Sequence, residues 1–317
     1  MTSRAPVWKR SGRRLVALAS LALGAGACSS LPHAYEPRSP QIPDARTVPL
    51  SSGSILTFVQ EGSGPTVLFV HGSIADLRIW AAQRVPALKQ YRLVAYSRRY
   101  HYPNAWDGNG SDYTEANHDR DLVAIIRELH LGRVHLVGAD TGAQVALDVA
   151  RSHPELVRSL VLIDPQMADL AGERPGFLAL AEQRDQVWGE MEAALRANDD
   201  AEKAARILYD WANASPGAYQ ALPPPLKGEI LDNAGVLAFQ LAKPPPPVRC
   251  ADVASLALPV LVVSGASSTP FYGAVADAMA ACIRGVQRET IPAAGYAVQR
   301  ENADAFNGTL AAFLAAH

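Results

Sequence analysis

The sequence has no marked excess of charge of either sign. Its 29 basic and 31 acidic residues give a formal net charge of −2. Without a basic excess there is little electrostatic attraction for nucleic acid, so we expect no nucleic-acid partner. The chain also lacks an apolar run as long as the roughly 20 residues that a transmembrane helix needs. The N-terminal apolar run covers Leu15–Ala27 only.

That short run predicts an export signal at residues 1–27. Basic residues but no acidic ones precede it, as in the n-region and h-region of a secretory signal. The run ends Ala25-Gly26-Ala27-Cys28, which is similar to a bacterial lipobox, so we expect lipidation at Cys28 and membrane association through this lipid anchor. The same letters suit cleavage to a soluble, secreted or periplasmic form. Arg13-Arg14 leaves open whether export follows the general or the twin-arginine route.

Cysteine is scarce, with three residues in the chain. If Cys28 carries the lipid, Cys250 and Cys282 remain, and export places them in an oxidising compartment. We therefore expect a Cys250–Cys282 disulfide, with two buried free thiols as the alternative. Residues 28–44 are rich in proline and serine and are predicted to form a tether.

From about residue 45 the chain alternates short β-branched runs with helical periodicity. This alternation predicts an α/β fold with a mostly parallel sheet covered by helices on both faces. The predicted strands are Ile55–Gln60, Thr66–Val70, Arg92–Tyr96, Val134–Gly138, Leu160–Ile163, Val260–Ser264 and Gln287–Ile291. The predicted core helices are Arg78–Gln90, Thr114–Leu129, Thr141–Ser152, Pro270–Cys282 and Ala303–Ala316.

Between about residues 166 and 250 the strand signal disappears. Helical periodicity predicts three helices there, Phe177–Ala197, Ala201–Ala212 and Lys227–Leu241, and the segment closes with four consecutive prolines at 244–247. We expect a helical cap at residues 166–250, inserted into a core formed by residues 45–165 and 251–317.

Five motifs in order resemble the α/β-hydrolase superfamily over roughly residues 45–317. They are His71-Gly72-Ser73 after a strand, Gly138-Ala139-Asp140-Thr141-Gly142 between a strand and a helix, Val161–Pro165, Leu258–Gly265 and Ile291–Ala297. The resemblance implies an α/β-hydrolase fold with the cap between the sixth and seventh strands. It also implies a nucleophile elbow at Asp140 and an oxyanion hole from the backbone N–H groups of Ser73 and Thr141.

Asp140 stands where serine is usual in this superfamily. A carboxylate nucleophile occurs in its epoxide-hydrolase and haloalkane-dehalogenase branches, where it forms an ester with the substrate. Those branches usually have tryptophan after the aspartate and proline in the loop after the third strand, whereas this chain has Thr141 and Ile74. A passive Asp140, left after loss of activity, is the alternative, since aspartate tolerates a positive φ.

Tyr296 stands where the resemblance implies the general-base histidine. A tyrosine hydroxyl has a pKa of about 10 and serves better as a donor than as a base. Alternatively, Tyr296 fills the cavity of the histidine and hydrogen-bonds across the site. No histidine lies between His153 and His317. The loop after the seventh strand, residues 265–270, has no carboxylate, which makes Asp164 the candidate acid; its alternative role is to hydrogen-bond the backbone at a turn.

The loop after the fourth strand could supply the missing groups. It reads Ser97-Arg98-Arg99-Tyr100-His101-Tyr102-Pro103-Asn104, and strand carboxyl ends are where such sheets bind ligands. His101 is the best candidate for a substitute base. The candidate substrate contacts are Arg98, Arg99, Tyr102 and His71. Alternatively, the loop residues are polar groups that pack against the cap, and His71 structures the oxyanion turn. His118 is expected on an exposed helix face.

Three functions are consistent with these residues. The first is a hydrolase of a small organic molecule, with Asp140 attacking an electrophilic carbon. The second is a lyase or isomerase in which Asp140 and Tyr296 act as a base–acid pair. The third is an inactive protein that binds a small apolar ligand or a protein partner under the cap. No cofactor and no metal is expected for any of them.

Overall fold

The computed structural model describes residues 42–106, 109–172, 174–198 and 200–317. The predicted export signal, Cys28 and residues 28–41 of the predicted tether lie outside the described residues. No helix in the described ranges is long and apolar enough to cross a membrane.

Eight strands form one sheet in the order β1-β2-β4-β3-β5-β6-β7-β8. Antiparallel pairing joins β1 to β2 and β2 to β4, and every other neighbouring pair is parallel. The mostly parallel α/β sheet predicted from the sequence is therefore confirmed. The strands are β1 (Arg46–Pro49), β2 (Ile55–Glu61), β3 (Thr66–Val70), β4 (Arg92–Tyr96), β5 (Val134–Ala139), β6 (Val157–Ile163), β7 (Val260–Gly265) and β8 (Gln287–Ile291).

Twelve α-helices are found in the described residues, several of them a single turn. They are α1 (Glu115–Glu128), α2 (Thr141–Ser152), α3 (Ala168–Ala171), α4 (Phe177–Asn198), α5 (Ala201–Ala212), α6 (Ala218–Ala221), α7 (Pro224–Asn233), α8 (Val236–Ala242), α9 (Cys250–Val253), α10 (Pro270–Cys282), α11 (Val298–Glu301) and α12 (Ala303–Ala315). The helices α3 to α9 all lie between β6 and β7 in the chain, and we call them the cap.

The central strands are buried on both faces, which explains their continuous apolar sequence. Along β3, Leu68 and Val70 belong to the core shared with α1, α2 and α10, whereas Val67 and Phe69 belong to the core shared with α12. All five residues of β3 are buried. Because a fully buried Val, Leu or Phe contributes roughly 1.5–3 kcal/mol, this strand fixes the centre of the sheet.

Two predicted helices are wrong in detail. In place of the helix at Arg78–Gln90 there are two 3₁₀ helices, Leu77–Gln83 and Pro86–Leu88. Pro86 has no backbone N–H and cannot continue a helix from the preceding turn.

The helix predicted at Lys227–Leu241 is divided into α7 and α8 at Ala234-Gly235. A Cβ atom at Gly235 would lie 2.5 Å from the Trp106 ring, so the close approach of this ring requires glycine at the break. The edge strand β1 was not predicted, since its four residues carry too little apolar periodicity to be recognised.

Polar contacts tie the cap to the sheet. Arg78, in the first 3₁₀ helix, is 3.0 Å from Asp232 of α7, and Asn233 of α7 donates to Asp76 at 2.7 Å. Arg300 of α11 forms a third link, with Glu229 at 2.6 Å. These contacts hold α7 over the carboxyl edge of the sheet.

A disulfide joins the end of the cap to the core. Cys250 of α9 is bonded to Cys282 of α10, with 5.2 Å between the Cα atoms and a sequence separation of 32 residues. The bond closes a loop that contains β7 and α10, and such a closure restricts the unfolded chain.

We predict that reduction of this disulfide lowers the free energy of unfolding by about 2–4 kcal/mol, because the reduced unfolded chain regains conformational freedom. Urea unfolding with and without reductant measures the difference. A Cys250→Ser/Cys282→Ser variant is the control. It should unfold like the reduced protein, and its unfolding should be the same with and without reductant. Two free thiols in the denatured, unreduced protein would contradict the prediction.

Candidate active site

Asp140 lies on a sharp turn between β5 and α2. Its backbone has φ 55° and ψ −123°, a conformation that residues with a Cβ rarely adopt. Two glycines permit the turn. A Cβ at Gly138 would lie 2.8 Å from the Cα of Ala143, and one at Gly142 would collide with the carbonyl oxygens of Val70 and His71. The pattern Gly-Ala-Asp-Thr-Gly is therefore what this geometry requires.

The carboxylate of Asp140 is buried and surrounded by hydrogen-bond donors. Its Oδ2 accepts from the Ser73 backbone N–H at 2.7 Å, the Ser73 hydroxyl at 2.7 Å and the Tyr296 hydroxyl at 2.8 Å. Its Oδ1 accepts from the Gln166 side-chain amide. The side chain is 2 % exposed. One carboxylate oxygen thus occupies a site built from three donors, of the kind that stabilises a developing oxyanion.

Ser73 is held in place by the loop around it. The backbone of this loop approaches Asp140 closely at Gly72, where a Cβ would lie 2.7 Å from Asp140 Oδ2. The Arg98 guanidinium donates to the carbonyl of Gly72 at 3.1 Å and to the Thr141 hydroxyl at 3.0 Å. The Ser73 hydroxyl also lies 3.4 Å from that of Thr141. Of the two predicted oxyanion-hole residues, Ser73 has its N–H bound to Asp140 and Thr141 has its hydroxyl bound to Arg98.

Tyr296 lies in the loop between β8 and α11. Its N–H donates to Asn213 of the cap at 3.0 Å, and its ring stacks on Tyr272 with 6.2 Å between centroids. Burial raises the pKa of Tyr296 well above its usual value, and the nearby Asp140 raises it further. Tyr296 is therefore protonated at neutral pH and is a hydrogen-bond donor, not a base.

Asp164 is a second buried carboxyl group near Asp140. It lies at the end of β6, with φ 40°, and accepts from the Ser268 hydroxyl at 3.4 Å. Its Oδ2 has no hydrogen-bond partner among the described residues. Burial raises the pKa of Asp164 well above its usual value, so the neutral acid is favoured. In that form it cannot act as a base.

The expectation that His101 is the substitute base must be corrected. Its ring nitrogens lie 3.0 Å from the carbonyl oxygens of Arg99 and Ser73, and the ring is fully buried. Burial, with a contribution from Arg98, lowers the pKa of His101 to about 3. A neutral ring donates to one of those carbonyls, and the contact with Ser73 makes His101 a support for the loop.

The predicted substrate contact at His71 is also corrected. Its Nε2 accepts from the Arg98 N–H at 2.9 Å, and its Nδ1 lies 2.8 Å from the carbonyl of Gly72. Burial lowers the pKa of His71 well below its usual value. His118, expected on an exposed face, is instead buried against Tyr113, because α1 turns this residue toward the loop after β4.

Arg98, Arg99 and Tyr102 do not face a ligand cavity under the cap. Arg98 is buried on the Ser73 loop, as described above. Arg99 is buried and ion-paired with Asp121 at 2.8 Å and Asp112 at 2.5 Å. Tyr102 is buried under the Arg78 guanidinium, 4.1 Å from its ring centroid. Buried charges need partners, and Arg99 has two carboxylates. Arg98 binds neutral oxygens, and its Nε has no hydrogen-bond partner among the described residues.

A cavity of about 440 Å³ lies between the cap and the sheet edge. Tyr296 forms part of its wall, whereas Asp140 does not line it. The Tyr296 side chain thus touches the cavity on one side and the Asp140 carboxylate on the other. The lining residues come from the loop after β3 and the 3₁₀ helix that follows it, from α5, α6, α7 and the segments between them, and from α11 and the segment before it.

Three residues of the site were not predicted from the sequence. Gln166 follows Asp164-Pro165 at the carboxyl end of β6, and this position at the ligand-binding edge was the signal that could have identified it. Asn213 and Tyr272 lie at the end of α5 and in α10, and no local pattern marks them.

One group of carboxylates in the described ranges could in principle hold a metal. Oxygen atoms of Glu115, Asp119 and Asp148 lie within 4.8 Å of one another. Burial raises the pKa of Glu115 and of Asp119 to about 8. Without a bound cation, these carboxyls are then largely protonated at neutral pH.

We predict that Asp164→Asn gains stability over the unmodified protein as the pH rises. The folded-state pKa of Asp164 is raised above its unfolded value of about 4. Its carboxyl therefore contributes fully to the free energy of unfolding below that unfolded value. Between the unfolded and folded pKa values, this contribution falls by ~1.4 kcal/mol per pH unit. In thermal unfolding from pH 5 to 8, the stability of Asp164→Asn relative to the unmodified protein should rise. The relative stability of Asp304→Asn, at an exposed position, should stay constant. A constant difference would contradict this.

The chain matches a family model described as the alpha/beta hydrolase family over residues 67–309. It is 29 % identical over 261 residues to RutD of Klebsiella pneumoniae (strain 342), a protein named for carbamate hydrolysis, covering 80 % of this chain and 92 % of the relative. It is 30 % identical over 105 residues to the 2-(acetamidomethylene)succinate hydrolase of Mesorhizobium japonicum, covering 33 % and 37 %.

The fold agrees with a solved structure as well. The enol-lactonase from Burkholderia xenovorans LB400 superposes with a TM-score of 0.66 at 21 % identity, covering 85 % of this chain and all of the other. Since the family model spans most of the chain, the protein belongs to the alpha/beta hydrolase family.

Proposed function

We propose that the protein is a hydrolase of a small organic molecule in which Asp140 is the nucleophile. One observation carries the proposal: Asp140 Oδ2 accepts three hydrogen bonds from Ser73 and Tyr296, whereas Oδ1 accepts from the side chain of Gln166. The two oxygens are therefore in different environments, as a carboxylate needs for one oxygen to attack and the other to be held. The relatives named as hydrolases support the reaction class.

In the first step, Oδ1 would attack an electrophilic carbon of the substrate. A bond forms between Oδ1 and that carbon, and the leaving group departs with its bonding electron pair. No proton has to be removed from the nucleophile, so this step needs no histidine. Gln166 must release Oδ1 as the bond forms, and it retains Tyr272 as a second partner at 3.4 Å.

In the second step, water would attack Cγ of Asp140 and cleave the ester. Negative charge then develops on Oδ2, where the Ser73 N–H, the Ser73 hydroxyl and the Tyr296 hydroxyl already donate. Water supplies the new carboxylate oxygen and the proton of the released alcohol, and its second proton is released to the solvent. None of the hydrogen bonds that Asp140 makes among the described residues comes from a histidine. The second step is therefore expected to be slow.

The direct hydrogen bond between Tyr296 and Asp140, 2.8 Å long, also favours a second candidate. In it, Asp140 removes a proton from a substrate and Tyr296 returns one, as in an isomerase or lyase. A ligand-binding protein without activity is the remaining alternative, since Tyr296 lies between the cavity and the carboxylate. Covalent capture at Asp140 separates the first function from both.

We also propose that the protein is exported and anchored in the cell envelope through a lipid on Cys28. The support is the basic N-terminus, the apolar run Leu15–Ala27 and the small residues before Cys28. A soluble periplasmic or secreted form is the alternative outcome.

We predict that alkyl halides or epoxides leave a stable ester on Asp140, detectable by intact mass and peptide mapping. Activation of water by a base usually contributes a factor of about 10²–10⁴, and that contribution is missing here. Asp140→Asn should form no adduct, and Tyr296→His should shorten the lifetime of the ester. If a broad panel of electrophiles leaves no adduct on Asp140, the nucleophile hypothesis is wrong.

We predict that Cys28→Ala abolishes membrane association without changing thermal stability, because one lipid-bearing residue supplies the anchor. Fractionation of cells expressing each form measures the distribution, and Cys250→Ser/Cys282→Ser is the matched control that should stay with the membrane. An unmodified protein found entirely in the soluble fraction would exclude the anchor.

A further inference from the structure

We infer that the cavity under the cap binds a neutral, largely apolar molecule and discriminates against carboxylates. The inference rests on the proposed function only in taking this ligand to be the substrate. The cavity volume of about 440 Å³ suits a small organic molecule. More than half of the lining residues are aliphatic: Ile74, Ala75, Ile79, Ala218, Ala221, Leu222, Leu226, Ile230 and Ala297.

One basic residue, Arg300, lines the cavity, and its charge is already engaged. The guanidinium is 2.6 Å from Glu229 and donates to the Arg78 carbonyl at 3.4 Å. A ligand carboxylate would have to displace Glu229, which belongs to the same wall, and would leave that acid without its partner. The exchange gains nothing, because one carboxylate replaces another.

The acidic residues of the wall are engaged too. Asp76 accepts from Arg78 at 2.6 Å and from Asn233 at 2.7 Å. Glu301 accepts from the N–H groups of Gly295 at 2.6 Å and Ala297 at 3.2 Å. With Asp232, which also pairs with Arg78, four carboxylates (Asp76, Asp232, Glu229 and Glu301) surround two guanidiniums (Arg78 and Arg300). The excess of negative charge gives a local field that repels anions.

The acids do not make this a cation site, however. Each accepts hydrogen bonds from groups of the protein, and an ammonium ligand would have to break them while losing its own hydration. A neutral molecule can bind without breaking these hydrogen bonds and has no hydrated charge to lose. The uncharged polar residues of the wall are Tyr209, Asn213 and Tyr296, and the hydroxyl of Tyr296 binds Asp140.

This charge arrangement separates the chain from one of its relatives. The Mesorhizobium japonicum relative is named for hydrolysis of a succinate, which is a dicarboxylate. No free basic group in the described wall could pair with either carboxylate of such a molecule, so a different substrate class is expected here.

The test uses three ligands of one shape and different charge: 4-phenylbutanamide, 4-phenylbutanoate and 4-phenylbutylammonium. Isothermal titration calorimetry at pH 7 with the Asp140→Asn protein measures binding apart from turnover. The amide should bind at least about tenfold more tightly than either ion. Leu222→Trp, which fills the cavity, should abolish amide binding, whereas Leu178→Trp, at a position 61 % exposed, should not.

A variant that removes one charge tests whether the pairing of Arg300 with Glu229 causes the discrimination against carboxylates. Glu229→Gln releases Arg300, and the affinity for 4-phenylbutanoate should rise about tenfold while that for the amide stays constant. Glu192→Gln is the matched control, since it removes the partner of exposed Arg196 on α4, away from the cavity. Equal affinities for amide and carboxylate, tighter ammonium binding, or no binding of the amide would overturn the inference. Absence of an Asp140 ester with this binding order intact would overturn the proposed chemistry alone.

Discussion

The structure of this site depends on one buried charge, the carboxylate of Asp140. A carboxylate removed from water is costly unless donors replace its hydration. Here the donors come from three parts of the chain: the Ser73 loop after β3, Gln166 after β6 and Tyr296 after β8. Each of these segments ends a strand or follows one, so the parallel sheet brings them together at a single edge. The topology of the sheet therefore supplies, at one edge, the donors that the buried carboxylate requires.

The polar residues around Ser73 follow from the same constraint. The Ser73 N–H can reach Asp140 only if the loop keeps its shape, and His71, His101 and Arg98 all bind the backbone of that loop. These are residues that sequence reasoning assigns to catalysis or to substrate contact. Burial keeps the two rings neutral, and neutral rings suit carbonyl and N–H partners in the absence of water. Their hydrogen bonds maintain the geometry of the loop that binds Asp140.

The sequence predicted the framework better than the side-chain contacts. The strand Thr66–Val70 and the helix Thr141–Ser152 match the structure residue for residue, because periodicity and the glycine turn are local signals. The partners of Asp140 are not local. Gln166 is 26 residues away and Tyr296 is 156 residues away, and only the tertiary fold shows that both point to one carboxylate. The sequence likewise suggests ligand contacts for Arg98 and Arg99, because the acceptors that these arginines bind inside the protein are recognisable only in three dimensions.

The chemistry of Asp140 and that of Tyr296 depend on each other. A serine at the elbow would need a base to remove its proton, and a tyrosine whose pKa is raised by burial cannot be that base. A carboxylate has no proton to lose, and what it needs instead is a donor, which the protonated tyrosine supplies at 2.8 Å. A neutral histidine could donate as well, but the ring of Tyr296 also stacks on Tyr272 and closes the wall of the cavity. Asp140 and Tyr296 therefore complement each other. Loss of Asp140 would remove the acceptor of the Tyr296 hydroxyl, and loss of Tyr296 would remove one of the three hydrogen bonds to Oδ2.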